Sequence, residues 1–260
     1  MKRMPLWTTL GNHDSASNSA GETGPYFARF AMPRAGEAGG VASGTAAYYS
    51  FDYGMVHAIV LDSYYSSRAV GSAMLNWLAA DLAAIDASKT KWLIAMWHHP
   101  PYSKGSHNSD VEGNSIQLRA NALPLLEAAG LDLLINGHSH NYERSYLVKG
   151  HHGSSTTFNA ATNLVQSRLG GLSEPYTKPA GLTSHQGFIA VVSGASQEAV
   201  PITFGLMHPV MIPFPATNRK GLLADLGTIV IDINVNELTG YYVLNIGTVA
   251  DTFSILKSGA

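Results

Sequence analysis

The sequence predicts an α/β fold, and three observations carry that prediction. Apolar, β-branched runs alternate with a helical segment between residues 46 and 136. Short strand-like runs dominate after residue 187. Hydrophobic residues make up 45% of the 260-residue chain, enough for a sizeable core. Element by element, residues 5–10 read as a short strand that runs into Gly11-Asn12-His13-Asp14. A short helix over 25–32 lies between a Gly/Ser-rich loop and a Gly/Ala-rich one. Residues 46–63 read as a hairpin turning at Asp52-Tyr53-Gly54. Met74, Trp77, Leu78, Leu82 and Ile85 recur at helical spacing, predicting an amphipathic helix over 72–87. A buried strand over 91–99 is stopped by Pro100-Pro101; a helix near 116–129 ends at Gly130; and 131–136 is another buried strand. Residues 150–186 are polar and irregular, a functional loop or an insertion. Strands over 187–195, 226–234, 238–246 and 251–257 follow. No repeat or linker divides the chain, so residues 1–260 are expected to form a single domain.

Composition narrows the function classes. Charged residues are 13% of the chain, about half the usual share, and the net charge is −2. Without a Lys/Arg cluster, a broad nucleic-acid surface is not expected, and any phosphate must be neutralised locally. The absence of cysteine excludes disulfides, thiolate zinc sites and thiol nucleophiles. No apolar run approaches the roughly 18 residues needed to span a bilayer. Pro5 and Trp7 interrupt the basic N-terminus, which does not read as a signal peptide.

Three polar groups sit at the C-terminal end of apolar runs: Asn12-His13-Asp14, His98-His99 and His138-Ser139-His140. Ligands of open α/β sheets bind at such ends. In "INGHSH", Gly137 lets the chain turn. On an extended backbone His138 and His140 would point the same way, suiting two imidazoles on neighbouring metal ions. In "MWHHPPY" adjacent residues face opposite sides, so one histidine is a ligand candidate and the other packs behind it. In "GNHD", Asn12 offers a carbonyl oxygen to a metal. His13 offers either a proton or nothing more than a turn residue, since histidine titrates near pH ~6.5. Bland readings are the better ones for several residues. His57 reads as a core or interface residue, His151-His152 as solvated, and Arg144 as half of a structural salt bridge.

The ordered motifs GNHD, a strand ending in histidine, and GHSH resemble calcineurin-like metallophosphoesterases. "NGHSHNYERS", "WHHPPYSKGSH" and "DTFSILK" are most similar to the purple acid phosphatase branch. That resemblance implies a four-layer α/β/β/α sandwich of the metallo-dependent phosphatase type, lacking its first strands. It implies hydrolysis of a phosphoester substrate by a metal-bridging hydroxide, at a centre of two divalent or trivalent ions (Fe, Zn or Mn). It assigns Asn12, His98 and His138 to one ion and His140 to the other. It gives His13 the role of proton donor to the leaving group, and His107 a substrate-facing place; His99 falls where the family varies. The family's upstream motifs, which would supply two aspartates and a tyrosine, have no match before Gly11. The chain is therefore expected to be N-terminally truncated and to bind at most one metal tightly. A secreted or periplasmic location is implied, with no membrane or nucleic-acid partner; oligomeric state carries no signature. The competing reading is a catalytically inactive fragment or binding module.

Overall fold

A computed structural model describes residues 4–199, 207–213 and 225–258. In chain order, α1 (Pro25–Arg29) precedes the hairpin of β1 (Tyr49–Tyr53) and β2 (Val56–Val60). Then α2 (Ala73–Ala83) leads to β3 (Trp92–Trp97), and α3 (Gly113–Asn121) with α4 (Leu123–Ala128) leads to β4 (Leu133–Asn136). β5 (Tyr142–Arg144) and β6 (Leu147–Val148) follow, then α5 (Ala160–Asn163), β7 (Leu164–Gln166), β8 (Tyr176–Pro179) and β9 (Ile189–Ser193). β10 (Gly227–Ile233), β11 (Glu237–Leu244) and β12 (Val249–Ser258) complete the order.

Side-chain alternation along these strands builds the layers. One sheet has the order β1-β2-β3-β4-β9-β5 and the other β10-β11-β12-β8. On one face of the six-stranded sheet, Leu93, Ala95 and Trp97 of β3 pack with Leu134 and Val192 against Leu75, Leu78, Leu118 and Leu126 of the helices. The intervening residues Trp92 and Ile94 face the other way, with Leu133 and Val191, against Leu238, Tyr242, Phe253 and Ile255 of the second sheet. Helices, first sheet and second sheet thus form three successive layers of the expected sandwich. The outward residues Thr228, Val230 and Asp232 of β10 are exposed. Among the described residues, no helix is long and apolar enough to cross a membrane.

Several expected elements change shape for local reasons. Residues 5–10 form no ladder. Side chains anchor their backbone instead, with Tyr26 and Tyr49 hydroxyls donating to Thr8 O at 3.0 and 2.7 Å. The helix expected over 116–129 starts earlier and divides in two, because Pro124 has no N–H to give to the preceding turn. The 72–87 helix closes at Ala83, after Ser72 caps its start by accepting from Leu75 N. Residues 150–186 carry α5, β7 and β8 rather than a structureless loop. Residues 1–3 of the stretch assessed as a signal peptide lie outside the described residues.

Buried charges join the layers. Asp132, at the entrance to β4, is fully buried and holds Lys178 Nζ at 2.5 Å and Lys257 Nζ at 2.7 Å. Those lysines are register partners on the parallel pair β8 and β12, so one carboxylate ties the second sheet to the first. Burial pulls the Lys257 pKa down to about 8, partly offset by Asp132. Arg144 makes the structural salt bridge its sequence position suggested, with Asp251 rather than its neighbour Glu143: Nε to Oδ2 is 2.6 Å and Nη2 to Oδ1 is 3.0 Å. Buried His57 on β2 joins Asp52 (2.7 Å) of its own hairpin to fully buried Asp81 (2.9 Å) of α2. Burial acts to lower the His57 pKa, but the hydrogen bonds to Asp81 and Asp52 prevail and raise it.

Replacing Asp132 with Asn leaves two buried ammonium groups without a counter-charge, and removing one partner of a buried pair typically costs about 3–5 kcal/mol. A D132N loss of that size is expected in urea unfolding; a loss below about 1 kcal/mol would refute the staple. Because the His57 pKa is raised, its stabilisation is complete below the unfolded-state pKa near ~6.5 and declines as pH rises through its raised folded value. The stability gap between wild type and His57→Gln should accordingly be larger at pH 6 than at pH 9, as measured by denaturant titration.

Candidate metal centre

β2, β3 and β4 are parallel neighbours, so their C-terminal ends open on one rim. Just past those ends lie Asp62-Ser63, His98-His99 and Gly137-His138. Trp97 pairs with Asn136, and Gly137 N–H donates to His98 O at 3.1 Å, which holds the two histidine-bearing exits side by side. Asn12 reaches the same rim from a 3-10 turn, Asn12–Asp14, closed by Gly11 N–H donating to the Asp14 carboxylate at 2.9 Å. The His98 ring lies on Gly11; a Cβ there would come within 2.9 Å of it, so a larger residue would displace the imidazole.

Three donor atoms converge. Asn12 Oδ1 is 2.7 Å from His98 Nε2, and His138 Nδ1 is 3.2 Å from each. Adjacent ligands around a first-row cation with bonds of about 2.0–2.1 Å are separated by about 2.9–3.4 Å. Two sides of the triangle match one face of such a shell and the third, Asn12 to His98, is a shorter hydrogen-bond contact; the amide oxygen and imidazoles suit a borderline cation. Burial, reinforced by His138, His13, His107 and His140, pushes the His98 pKa down to about 3. Its imidazole is thus neutral, as ligation requires.

His138 is not on the extended backbone expected for the H-x-H pair. Its own φ is +65°, in the left-handed region, whereas Gly137 is not among the positive-φ residues. Histidine tolerates that region better than most side chains, at some backbone cost. His138 and His140 make separate contacts. His140 Nδ1 lies 3.4 Å from Glu198 Oε2, and its N–H donates to Ser106 Oγ at 2.9 Å. Together with His13, Gln197 and Glu198 it lines an adjoining cavity of about 340 Å³. The four candidate ligands thus separate into a compact three-atom set and His140 beside it.

His99 is buried next to His98, its ring 4.3 Å from that of His138. Its Nδ1 is 2.8 Å from Ser63 Oγ and its Nε2 is 3.3 Å from Asn114 Nδ2. Burial, with His138 and His98, holds its pKa near 3. Ser63 is itself set by Asp62, a buried carboxylate that accepts from Tyr64, Tyr65 and Ser66 N–H groups. Beneath the GHSH turn, Ser139 Oγ accepts from Ser103 Oγ at 2.9 Å and from His107 N at 3.3 Å, and donates to Asn141 Oδ1 at 2.6 Å. That network fixes loop 103–107 against the turn.

Glu112 was not expected at the site. Its Oε2 is 3.0 Å from His138 Nε2 and its Oε1 is 2.7 Å from His107 Nδ1, while the two rings stack 3.7 Å apart. Burial would raise its pKa, but hydrogen bonds from both histidines prevail and hold it at about 2. Glu112 stands at the N-cap of α3, where Ser or Asp is usual, and makes no cap bond. His107 consequently faces Glu112 and His138. His151, read as solvated, is buried, and its carbonyl accepts the Tyr102 hydroxyl. Its neighbour His152 bonds to Glu127 Oε1 at 2.8 Å.

A two-sheet sandwich with His98 and His138 just past parallel strand ends, and Asn12 beside them, defines a chain of the α/β class with a candidate metal centre. The chain belongs to the calcineurin-like phosphoesterase family, whose model matches residues 1–142. It is similar to purple acid phosphatases 15 and 18 of Arabidopsis thaliana. Identity to the first is 37% over 150 residues, 56% of this chain and 26% of that protein; to the second it is 37% over 146 residues, 55% and 32%. Across 99% of this chain it is 27% identical to 39% of the Arabidopsis protein called probable inactive purple acid phosphatase 9. The chain thus spans about a quarter to two-fifths of the length of these relatives. The structure of a purple acid phosphatase from yellow lupin seeds shares the fold, with TM-score 0.57 and 20% identity over 84% of this chain and 34% of that one.

Proposed function

We propose that this chain carries part of a metal-dependent phosphoester hydrolase centre and binds one cation through Asn12, His98 and His138. The convergence of Asn12 Oδ1, His98 Nε2 and His138 Nδ1 within 3.2 Å supports this reading above all else. A cation held there would neutralise phosphoryl oxygens and lower the pKa of water. The chain's own residues supply the rest. His13 and His140 line the cavity beside the triangle, where the departing group of a phosphoester would sit. His13 would hand a proton to the leaving oxygen, and proton transfer of that kind contributes about 10²–10⁴ in rate. The neutral His98 cannot repel a cation, and His99, held by Ser63, lies with its ring 4.3 Å from that of His138.

A second reading has its own support. Among the described residues, two groups have side chains close enough to hold a metal, His98 with His99 and His138, and His107 with Glu112 and His138; neither contains an aspartate, and a relative matching nearly the whole chain is named as probably inactive. On that reading the site binds a cation and a phosphorylated ligand without turnover.

Metal titration of the purified, chelator-treated protein separates the donor sets. One Mn²⁺ or Zn²⁺ per chain is expected, with affinity reduced at least a hundredfold by H98A or H138A and little changed by H140A. Two tight ions, or equal dependence on His140, would overturn the one-cation assignment. Hydrolysis of p-nitrophenyl phosphate that requires added metal and falls in His13→Ala would decide for the enzyme over the binding module.

A further inference from the structure

We propose that Glu112 is the positioning residue that fixes the tautomer of His138, placing its N–H on Nε2 and aiming the Nδ1 lone pair at Asn12 and His98. This rests on the cation-site reading above and adds a part that the ligand set alone does not contain.

For a neutral His138 the contacts leave one consistent proton arrangement. A neutral imidazole has one N–H and one lone pair, and an ionised carboxylate only accepts. Glu112 Oε2 lies 3.0 Å from His138 Nε2, so the proton belongs on Nε2. Nδ1, 3.2 Å from both Asn12 Oδ1 and His98 Nε2, then carries the lone pair. Without Glu112, the proton could move to Nδ1, where Asn12 Oδ1 would accept it and the lone pair would leave the triangle. The carboxylate is itself held on its other oxygen by His107 Nδ1 at 2.7 Å, with the His107 ring stacked on His138. Its place at the start of α3 explains why it is rigid, and the missing cap bond explains why its side chain is free to serve the histidines. Carboxylates that orient a ligating histidine are typically worth 10–100-fold in metal affinity. Glu112 is partly exposed, so its truncation opens no core cavity.

The test has two readouts. Long-range ¹H–¹⁵N correlation of histidine-labelled, metal-free protein reports which His138 nitrogen carries the proton. Wild type should show Nε2–H, and Glu112→Ala should show a mixture or Nδ1–H. Co²⁺ titration followed by its d–d absorption should show a ten- to hundredfold weaker affinity in E112A. E112Q keeps an accepting carbonyl, so it should retain the Nε2–H tautomer and fall between the two in affinity. If E112A does not fold, E112Q and H107A, which frees the carboxylate, carry the same comparison. Wild-type tautomer together with wild-type cobalt affinity in E112A would overturn the proposal. A wild-type protein that binds no cobalt would instead overturn the cation reading, while the metal-free tautomer still decides the role of Glu112.

Discussion

The pairing of Trp97 with Asn136, continued by Gly137 N–H to His98 O, is the constraint on which the site depends. Two parallel strands in register deliver His98 and His138 to neighbouring positions just past their ends. His98 and His138 are 40 residues apart in the chain yet 3.2 Å apart in space because of it. A slip of one residue between β3 and β4 would turn every side chain of one strand to the opposite face and dissolve both the core and the triangle. The remaining features work as supports for that register. Gly11 admits the His98 ring, Asp62 and Ser63 set His99 behind it, and the Ser103–Ser139 contact fixes the turn that follows.

The register is protected by charges placed between layers as well as by apolar packing. Asp132 begins the strand that delivers His138, and its two lysines come from the second sheet. Arg144 follows the GHSH turn on β5 and is locked to Asp251 of β12. Both ends of the β4–turn–β5 segment are therefore tied across the sandwich by ion pairs that are costly to break one partner at a time. Only the turn between them carries backbone strain, at His138, and that is the residue whose ring must be aimed.

Much of this was legible in the sequence, and what was not has identifiable causes. The strand-end positions of His98 and His138 followed from apolar runs stopped by prolines or glycine, and Asn12 from its place in GNHD. The extended backbone assumed for the H-x-H pair does not hold, because an alternating pattern gives no sign of the left-handed residue at His138. Strand 5–10 has the composition of a strand, but a ladder needs a neighbour, which composition does not reveal. Glu112 was missed because its partners are long-range: nothing local distinguishes a helix-start glutamate that caps from one that turns toward two histidines. Pro124, by contrast, was visible and sufficient to divide its helix.

Diffraction from crystals soaked in Mn²⁺, read as an anomalous difference map, tests the central claim most directly. The account requires one strong peak bonded to Asn12 Oδ1, His98 Nε2 and His138 Nδ1. A peak centred instead on His140 and Glu198, or ligation of His138 through Nε2 with Glu112 displaced, would contradict it.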